Sequence, residues 1–408
     1  MRKRVLGMIM AGGKGTRLFP LTRDRAKPAV PFGGKYRIID FALSNFMNSE
    51  IYSIYVLTQF KSQSLTEHLQ RGWGHISLLK NHFIIPVPAQ MQTGESWYKG
   101  TGDAIFQNLN LIRENHPRFV AVFGGDHIYR MDITQMIDFH EDQGADVTIA
   151  GITVPIEEAS EFGVMKIDKE GRILNFEEKP ANPSPMPNDP TRALVSMGNY
   201  VFGEKILTTA LTEDADLADS SHDFGNDILP RLLAEGKDLY CYNFETNVIP
   251  GAKEKVNTYW RDVGTIDAYY EATLDLRDVV PRFDLFNQFW PIGTAARDLP
   301  PSKFVHDDHG RRGEAVQTLV AEGSIISGAS VQGSVIGRNV HVHSFAEITD
   351  SIIMDNVDIG EGAKLRGVII DKNVHVPAGE EIGFDIEKDR ERFFVSEAGI
   401  VVIPKEPG

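Results

Sequence analysis

From Ile325 to Ile382, aliphatic residues recur every five to six positions with Gly, Ser or Asn between them. The run is Ile325-Ile326, Val331, Val335-Ile336, Val340, Ile352-Ile353, Val357, Ala363, Val368-Ile369, Val374 and Ile382. This is the hexapeptide pattern of a β-helix, whose coils cannot bury an apolar face alone and so must stack. An antiparallel β-sandwich with regular turns is the competing arrangement. Residues 384–408 carry charges and then Gly399-Ile400-Val401-Val402-Ile403, which reads as a closing strand. The exposed flank and open end of a solenoid are assembly surfaces, so a homo-oligomer is expected.

The first two thirds of the chain have another rhythm. Val5–Ala11, Ile51–Thr58, Phe119–Phe123, Asp146–Val154 and Arg192–Phe202 read as strands. Ile38–Ser49, Ser62–Gln70, Gly102–Asn115 and Asp132–Gln143 read as helices. Strands separated by helices imply right-handed crossovers and a mostly parallel sheet, with ligands at the carboxyl ends of its strands. A chain of 408 residues is too long for one ordinary core. We therefore expect a domain over 1–276, an irregular, proline-marked linker over 277–315 packed on it, and a β-helix domain with its tail over 316–408. The prolines between 180 and 190 mark a surface loop inside the first domain.

The first strand empties into Gly12-Gly13-Lys14-Gly15-Thr16-Arg17. Glycines let backbone N–H groups close on an anion, and an arginine offers phosphate a planar fork of donors. Lys14, Arg17, Arg23, Arg25, Lys27, Lys35 and Arg37 gather here in a chain of net charge −15. That overall charge argues against nucleic acid or an anionic membrane, so the cluster points to a small phosphate ligand. Phosphate contact is assigned to Arg17 and Lys27. The loop is neither a Walker-type P-loop nor a dinucleotide fingerprint. Asp126 ends Phe119–Gly125, and Asp262 lies in Tyr259-Trp-Arg-Asp-Val-Gly-Thr265. Two such acids suit Mg²⁺, which takes one or two carboxylates plus substrate phosphates. Helix capping by Asp126 and pairing of Asp262 with Arg261 remain the alternative. Cys241 stands alone, so no intrachain disulfide or cysteine metal site is expected, and a cytoplasmic location fits. The basic start and short apolar run superficially resemble a signal peptide, but glycines and cations follow where cleavage would fall. No apolar run approaches the roughly 20 residues of a membrane span.

Gly-Gly-Lys-Gly-Thr-Arg-Leu, Arg-Ala-Lys-Pro-Ala-Val, Phe-Gly-Gly-Lys-Tyr-Arg-Ile-Ile-Asp-Phe, Gly-Gly-Asp-His-Ile-Tyr, Glu178-Lys179-Pro180 and Ser196-Met197-Gly198 resemble the sugar-nucleotide pyrophosphorylases. Leu69–Trp73, Trp97–Thr101 and Ser220–Gly225 narrow the resemblance to the bacterial glucose-1-phosphate adenylyltransferase branch. The resemblance implies a Rossmann-like α/β nucleotidyltransferase domain with a mostly parallel mixed sheet, followed by a left-handed parallel β-helix. It implies transfer of the adenylyl group of ATP to α-D-glucose 1-phosphate, giving ADP-glucose and pyrophosphate for glycogen or another α-glucan. Mg²⁺, a homotetramer and a phosphorylated small-molecule effector are implied with it.

Carried over residue by residue, it assigns Gly12, Gly13, Gly15, Thr16, Gly100, Thr101 and Asp103 to ATP, with Arg17 and Lys27 catalytic. Tyr98, Gly163, Glu178, Lys179 and Ser196 match glucose 1-phosphate positions, and Asp126 and Asp262 match the Mg²⁺ carboxylates. Gln59 and Trp97 match positions proposed to couple effector and substrate sites. Asp24 stands where many relatives carry a basic residue that helps bind phosphorylated activators, which puts the usual activator response in question. Gly102 and Lys99 replace a more usual Ala and Arg without bearing on the chemistry. A sugar phosphate is largely the dianion near neutrality and needs no general base. Alignment and charge neutralisation then supply the rate, consistent with the lack of a nucleophile triad. His127 reads as a structural donor. A related enzyme for another base or sugar, or a catalytically dead regulatory subunit, are the other readings.

Overall fold

The computed structural model describes residues 4–78, 80–90, 97–252, 258–306 and 310–405. The apolar run after the basic start forms the strand Val5–Met10 inside a nine-stranded sheet. Parallel neighbours flank it, Phe119–Gly124 on one side and Ser53–Thr58 on the other, and Phe83–Pro88 continues that edge in parallel. Leu6, Met8 and Ile9 are fully buried, because helices and loops cover both faces of this part of the sheet. That is why the strand reads as an unbroken apolar run rather than an alternating one.

Beyond Phe119–Gly124 the sheet turns antiparallel. Arg192–Gly203 pairs with it through Asn199–Gly203, and with Val147–Pro155 along most of its length. Gly163–Ile167 and Ile173–Glu178 form a hairpin at that edge, and Leu239–Asn243 runs parallel to Val147–Pro155. The sheet is therefore mixed. Between Ser196 and Tyr200 the register of the long strand shifts, and Gly198 takes φ +71° there. A bulge of this kind re-aims side chains next to a site.

The helices Ile38–Asn48, Gln63–Trp73 and Ile133–Asp142 lie where the apolar spacing puts them. The expected helix Gly102–Asn115 is broken into Thr101–Phe106 and Leu109–Asn115. Asn108 causes the break: its amide donates to the Ala104 carbonyl at 2.8 Å and to the Tyr98 hydroxyl at 2.9 Å. Such side-chain bonds compete with the helical ladder. Among the described residues no helix is long and apolar enough to cross a membrane.

The C-terminal strands stack into three sheets, one per side of a β-helix, parallel except where Phe394–Val395 pairs antiparallel with Val401–Ile403. Ile325 pairs with His341, His341 with Asp358 and Asp358 with His375, so a coil takes 16 or 17 residues. Asn339, Asn356 and Asn373 occupy one corner in the left-handed region (φ 53°, 58° and 60°), and their amides hydrogen-bond from coil to coil at 3.1 and 2.9 Å. Asn tolerates that conformation better than most residues. The ladder starts at Lys303–Val305, within the 277–315 stretch, and Val401–Ile403 closes it on Val368–Ile370.

The two parts share apolar packing. Phe32, Tyr36 and Tyr269 cluster with Val335, Ile352, Ile369 and Val402 of the solenoid. A buried bidentate pair, Arg25 to Asp371 at 2.9 and 2.7 Å, fastens the glycine-turn region to the fourth coil. Thr265 caps the helix Ile266–Asp275 that lies in this seam.

Candidate active site

At the carboxyl ends of Val5–Met10 and Phe119–Gly124 the loops open a cavity of about 530 Å³. Gly12, Gly13, Gly15, Arg17 and Lys27 line one side, and Asp126, His127 and Asp262 line its floor. Tyr98, Gly100, Thr101, Gly163, Glu178, Lys179 and Ser196 line the far side. Gly15 takes φ +60°, and a Cβ there would stand 2.9 Å from the Lys27 Cβ, so the turn needs glycine twice over.

Register explains how two acids 136 positions apart meet. His127–Tyr129 pairs antiparallel with Trp260–Asp262, which sets Asp262 directly opposite His127 and hence beside Asp126. Lys27, buried by its rigid loop, sits between them: its Nζ is 2.6 Å from Asp262 Oδ1 and 3.1 Å from Asp126 Oδ2. Burial alone would depress the ammonium, but the two carboxylates raise it above its usual value. Burial likewise opposes ionisation of Asp126, yet Lys27, then His127, hold its carboxyl well below the ordinary range. Arg17, half exposed, reaches Glu161 at 2.5 Å and Asp262 at 3.6 Å.

The donor set suits a hard divalent cation. Ligand atoms of Asp126, His127 and Asp262 lie within 4.8 Å of one another, and both carboxylates open onto the cavity that would hold phosphate oxygens. The His127 ring packs against Trp260, and its Nδ1 is buried without a hydrogen-bond partner among the described residues.

On the far side, Glu178 is cupped by two glycines. A Cβ on Gly225 would stand 2.4 Å from Glu178 Oε2, and one on Gly163 2.9 Å from the same atom. Burial, with Asp223 nearby, raises the Glu178 carboxyl, while Lys179 at 3.8 Å opposes that shift. Lys179 itself is held at φ +44° by its amide bond to the Phe162 carbonyl at 3.0 Å. A non-glycine residue in that region signals a position set by its surroundings.

Not every assigned residue faces the cavity. Thr16 and Asp103 are absent from its lining. Asp103 is buried and accepts from the Lys99 amide at 2.8 Å and from Gln107 at 2.9 Å, so it pins the loop that carries Tyr98 and Gly100. Thr101 lines the cavity but is tied to Asp223 at 2.8 Å. Trp97 is half exposed outside it. Gln59 lines it and donates to the Tyr98 carbonyl at 3.3 Å, one residue from Trp97. Sequence reasoning missed Glu161, Asp223 and Gly225. Asp223 and Gly225 both stand within the Ser220–Gly225 motif, but only the Thr101 bond and the close approach of Glu178 show what they do.

With this geometry in hand, the comparisons are specific. The family model described as Nucleotidyl transferase matches residues 6–279, and that described as GlmU-like, C-terminal hexapeptide matches residues 300–403. A glucose-1-phosphate adenylyltransferase of Thermus thermophilus is 54% identical over 410 residues, covering 99% of each chain. One from Anaeromyxobacter is 51% identical over 405 residues, and glucose-1-phosphate adenylyltransferase 1 of Vibrio parahaemolyticus is 51% identical over 401. Each of these two alignments covers 98% of both chains.

Proposed function

The chain belongs to the glucose-1-phosphate adenylyltransferases within the nucleotidyl transferase family, and from that membership we propose how its cleft works. The enzyme transfers the adenylyl group of ATP to α-D-glucose 1-phosphate, yielding ADP-glucose and pyrophosphate. The observation that carries the residue assignment is the meeting of Lys27, Asp126 and Asp262 beside the glycine turn.

The triphosphate lies on the backbone amides of Gly12–Gly15, with Arg17 at the departing pyrophosphate. The sugar sits against Gly163 and Ser196, its hydroxyls accepted by Glu178 and its phosphate held by Lys179. Tyr98, whose hydroxyl accepts from Asn108 at 2.9 Å, forms the wall between the two substrates. The sugar-phosphate oxygen is already anionic near neutrality, so it attacks the α-phosphorus without a base, and the bond to pyrophosphate breaks. Lys27 supplies charge to the phosphate undergoing substitution, fixed in aim by its buried position. Asp126 and Asp262 hold Mg²⁺, which when bound neutralises phosphate charge that these cations cannot.

The product feeds glycogen or a related α-glucan in the cytoplasm, and the chain assembles as a homotetramer. Regulation by a phosphorylated metabolite is supported by a second cavity of about 420 Å³ between the domains. Lys35, Arg37, Arg71, Arg297, Arg338 and Lys372 line it against only Glu67 and Asp355. The Asp24 position lies close by in sequence but is neutralised locally, by Arg23 at 3.1 Å and Lys405 at 3.6 Å. The deciding experiment offers each nucleoside triphosphate with each sugar 1-phosphate and measures pyrophosphate, with and without phosphorylated intermediates. ATP with glucose 1-phosphate is expected to be the fastest pair. A faster pair with another base or sugar would move the chain to a sister specificity.

A further inference from the structure

The outer face of the β-helix carries a cluster that adenylyl transfer does not use. His341, Asp358 and His375 stand in one column on three successive coils, since His341 pairs with Asp358 and Asp358 with His375. Adjacent strands lie about 4.8 Å apart, so stacking alone brings the outward side chains of neighbouring coils within reach of one ion. His343 follows His341 by two residues and therefore projects on the same face. The residue beside it on the next coil is Gly360, which puts no side chain between His343 and Asp358.

The contacts converge on one carboxylate. His343 Nε2 is 2.9 Å from Asp358 Oδ1, His375 Nδ1 is 2.9 Å from Oδ2, and His341 Nδ1 is 3.8 Å from Oδ1. The His341 and His343 rings stack with centroids 3.9 Å apart. Ligand atoms of His341, His343 and Asp358 all lie within 4.8 Å of one another. The three are about 40% exposed, so an ion would enter from solvent without unfolding anything.

We propose that His341, His343 and Asp358 form a binding site for a divalent transition metal of the zinc class on the outer face of the β-helix, with His375 hydrogen-bonded to the far oxygen of Asp358 and orienting it. Imidazole nitrogens joined by one carboxylate suit Zn²⁺, Ni²⁺ or Cu²⁺ and not the hard Mg²⁺ expected at the paired catalytic carboxylates Asp126 and Asp262. Two successive coils supply the ligands, so the ion ties one turn of the solenoid to the next and stabilises it by mass action.

The test uses the untagged full chain, titrated with Zn²⁺ in excess Mg²⁺ to occupy the catalytic acids. One zinc equivalent per chain and a rise in Tm are expected for wild type and for Asp126→Asn. Both are expected to be lost in His341→Gln/His343→Gln, and zinc affinity to fall at least 10-fold in Asp358→Asn. Because these side chains are exposed, the metal-free Tm of the variants should match wild type, which separates ligand loss from misfolding. Zinc binding unchanged in the double variant, or no zinc bound by wild type at micromolar concentration, would overturn the site.

Discussion

The Lys27 ammonium lies 2.6 Å from Asp262 Oδ1, a contact that closes across 235 residues and places a buried cation against a carboxylate at the floor of the cleft. Asp126 stands on the other side of the same nitrogen at 3.1 Å. Two acids and one lysine thus hold one another in place before any substrate arrives, and removing one leaves the others unbalanced.

For Lys27→Gln we predict a lower Tm without Mg²⁺, because Asp126 and Asp262 then face each other with only the half-exposed Arg17 beside Asp262. Breaking a buried pair by removing one partner costs about 3–5 kcal/mol, and the open cleft reduces this to a smaller loss. Added Mg²⁺ should raise the Tm of this variant more than that of wild type. Thermal unfolding with and without the ion reads the difference, and an equal rise in both proteins would deny that the acids share one cation position.

Lys179→Ala should raise the KM for glucose 1-phosphate about 10- to 100-fold, the equivalent of one charge-assisted hydrogen bond of about 1.5–3 kcal/mol. The KM for ATP should change far less. Steady-state kinetics with each substrate varied in turn checks this, and equal changes would move Lys179 out of the sugar-phosphate site.

Gly225→Ala places a Cβ 2.4 Å from Glu178 Oε2 and so must displace that carboxylate. We expect the same asymmetry as for Lys179→Ala, a weakened sugar phosphate with ATP binding retained, although residue 225 needs to touch no substrate. Normal glucose 1-phosphate kinetics in this variant would show that Glu178 does not position the sugar.

Lys372 gives a pH-dependent prediction. Burial, then Arg37 and Arg25, push its ammonium down to about 7. In the unfolded chain a lysine titrates near 10.4, so between about pH 7 and about pH 10 the folded state binds fewer protons and stability rises with pH. Lys372→Met removes that term. It should be more stable than wild type below about pH 7, with the difference vanishing above about pH 10. Inorganic phosphate should raise the Tm of wild type more than that of the variant, since an anion restores the charge that burial disfavours. Melting curves over that pH range, with and without phosphate, decide it.

Much of this was legible in the chain because the signals were local. The apolar run Val5–Met10 and the glycine turn after it announced a strand and a phosphate loop, and the spacing from Ile325 to Ile382 announced stacked coils. The paired acids were identified from Asp126 and Asp262, but their meeting depends on the register of His127–Tyr129 with Trp260–Asp262, which no local pattern encodes. Glu161 and Asp223 went unread for the same reason: each is an ordinary surface acid until Arg17 at 2.5 Å or Thr101 at 2.8 Å gives it a place. The helix break at Asn108 escaped because helical spacing continues through it, and only its bonds to Ala104 and Tyr98 disclose the competition.

The most direct measurement is pyrophosphate release from ATP and glucose 1-phosphate in Mg²⁺ by wild type and Asp126→Asn, alongside their melting curves. The account predicts a folded variant whose turnover falls by about 10²–10³-fold or more. Near-normal turnover in a folded Asp126→Asn protein would contradict it.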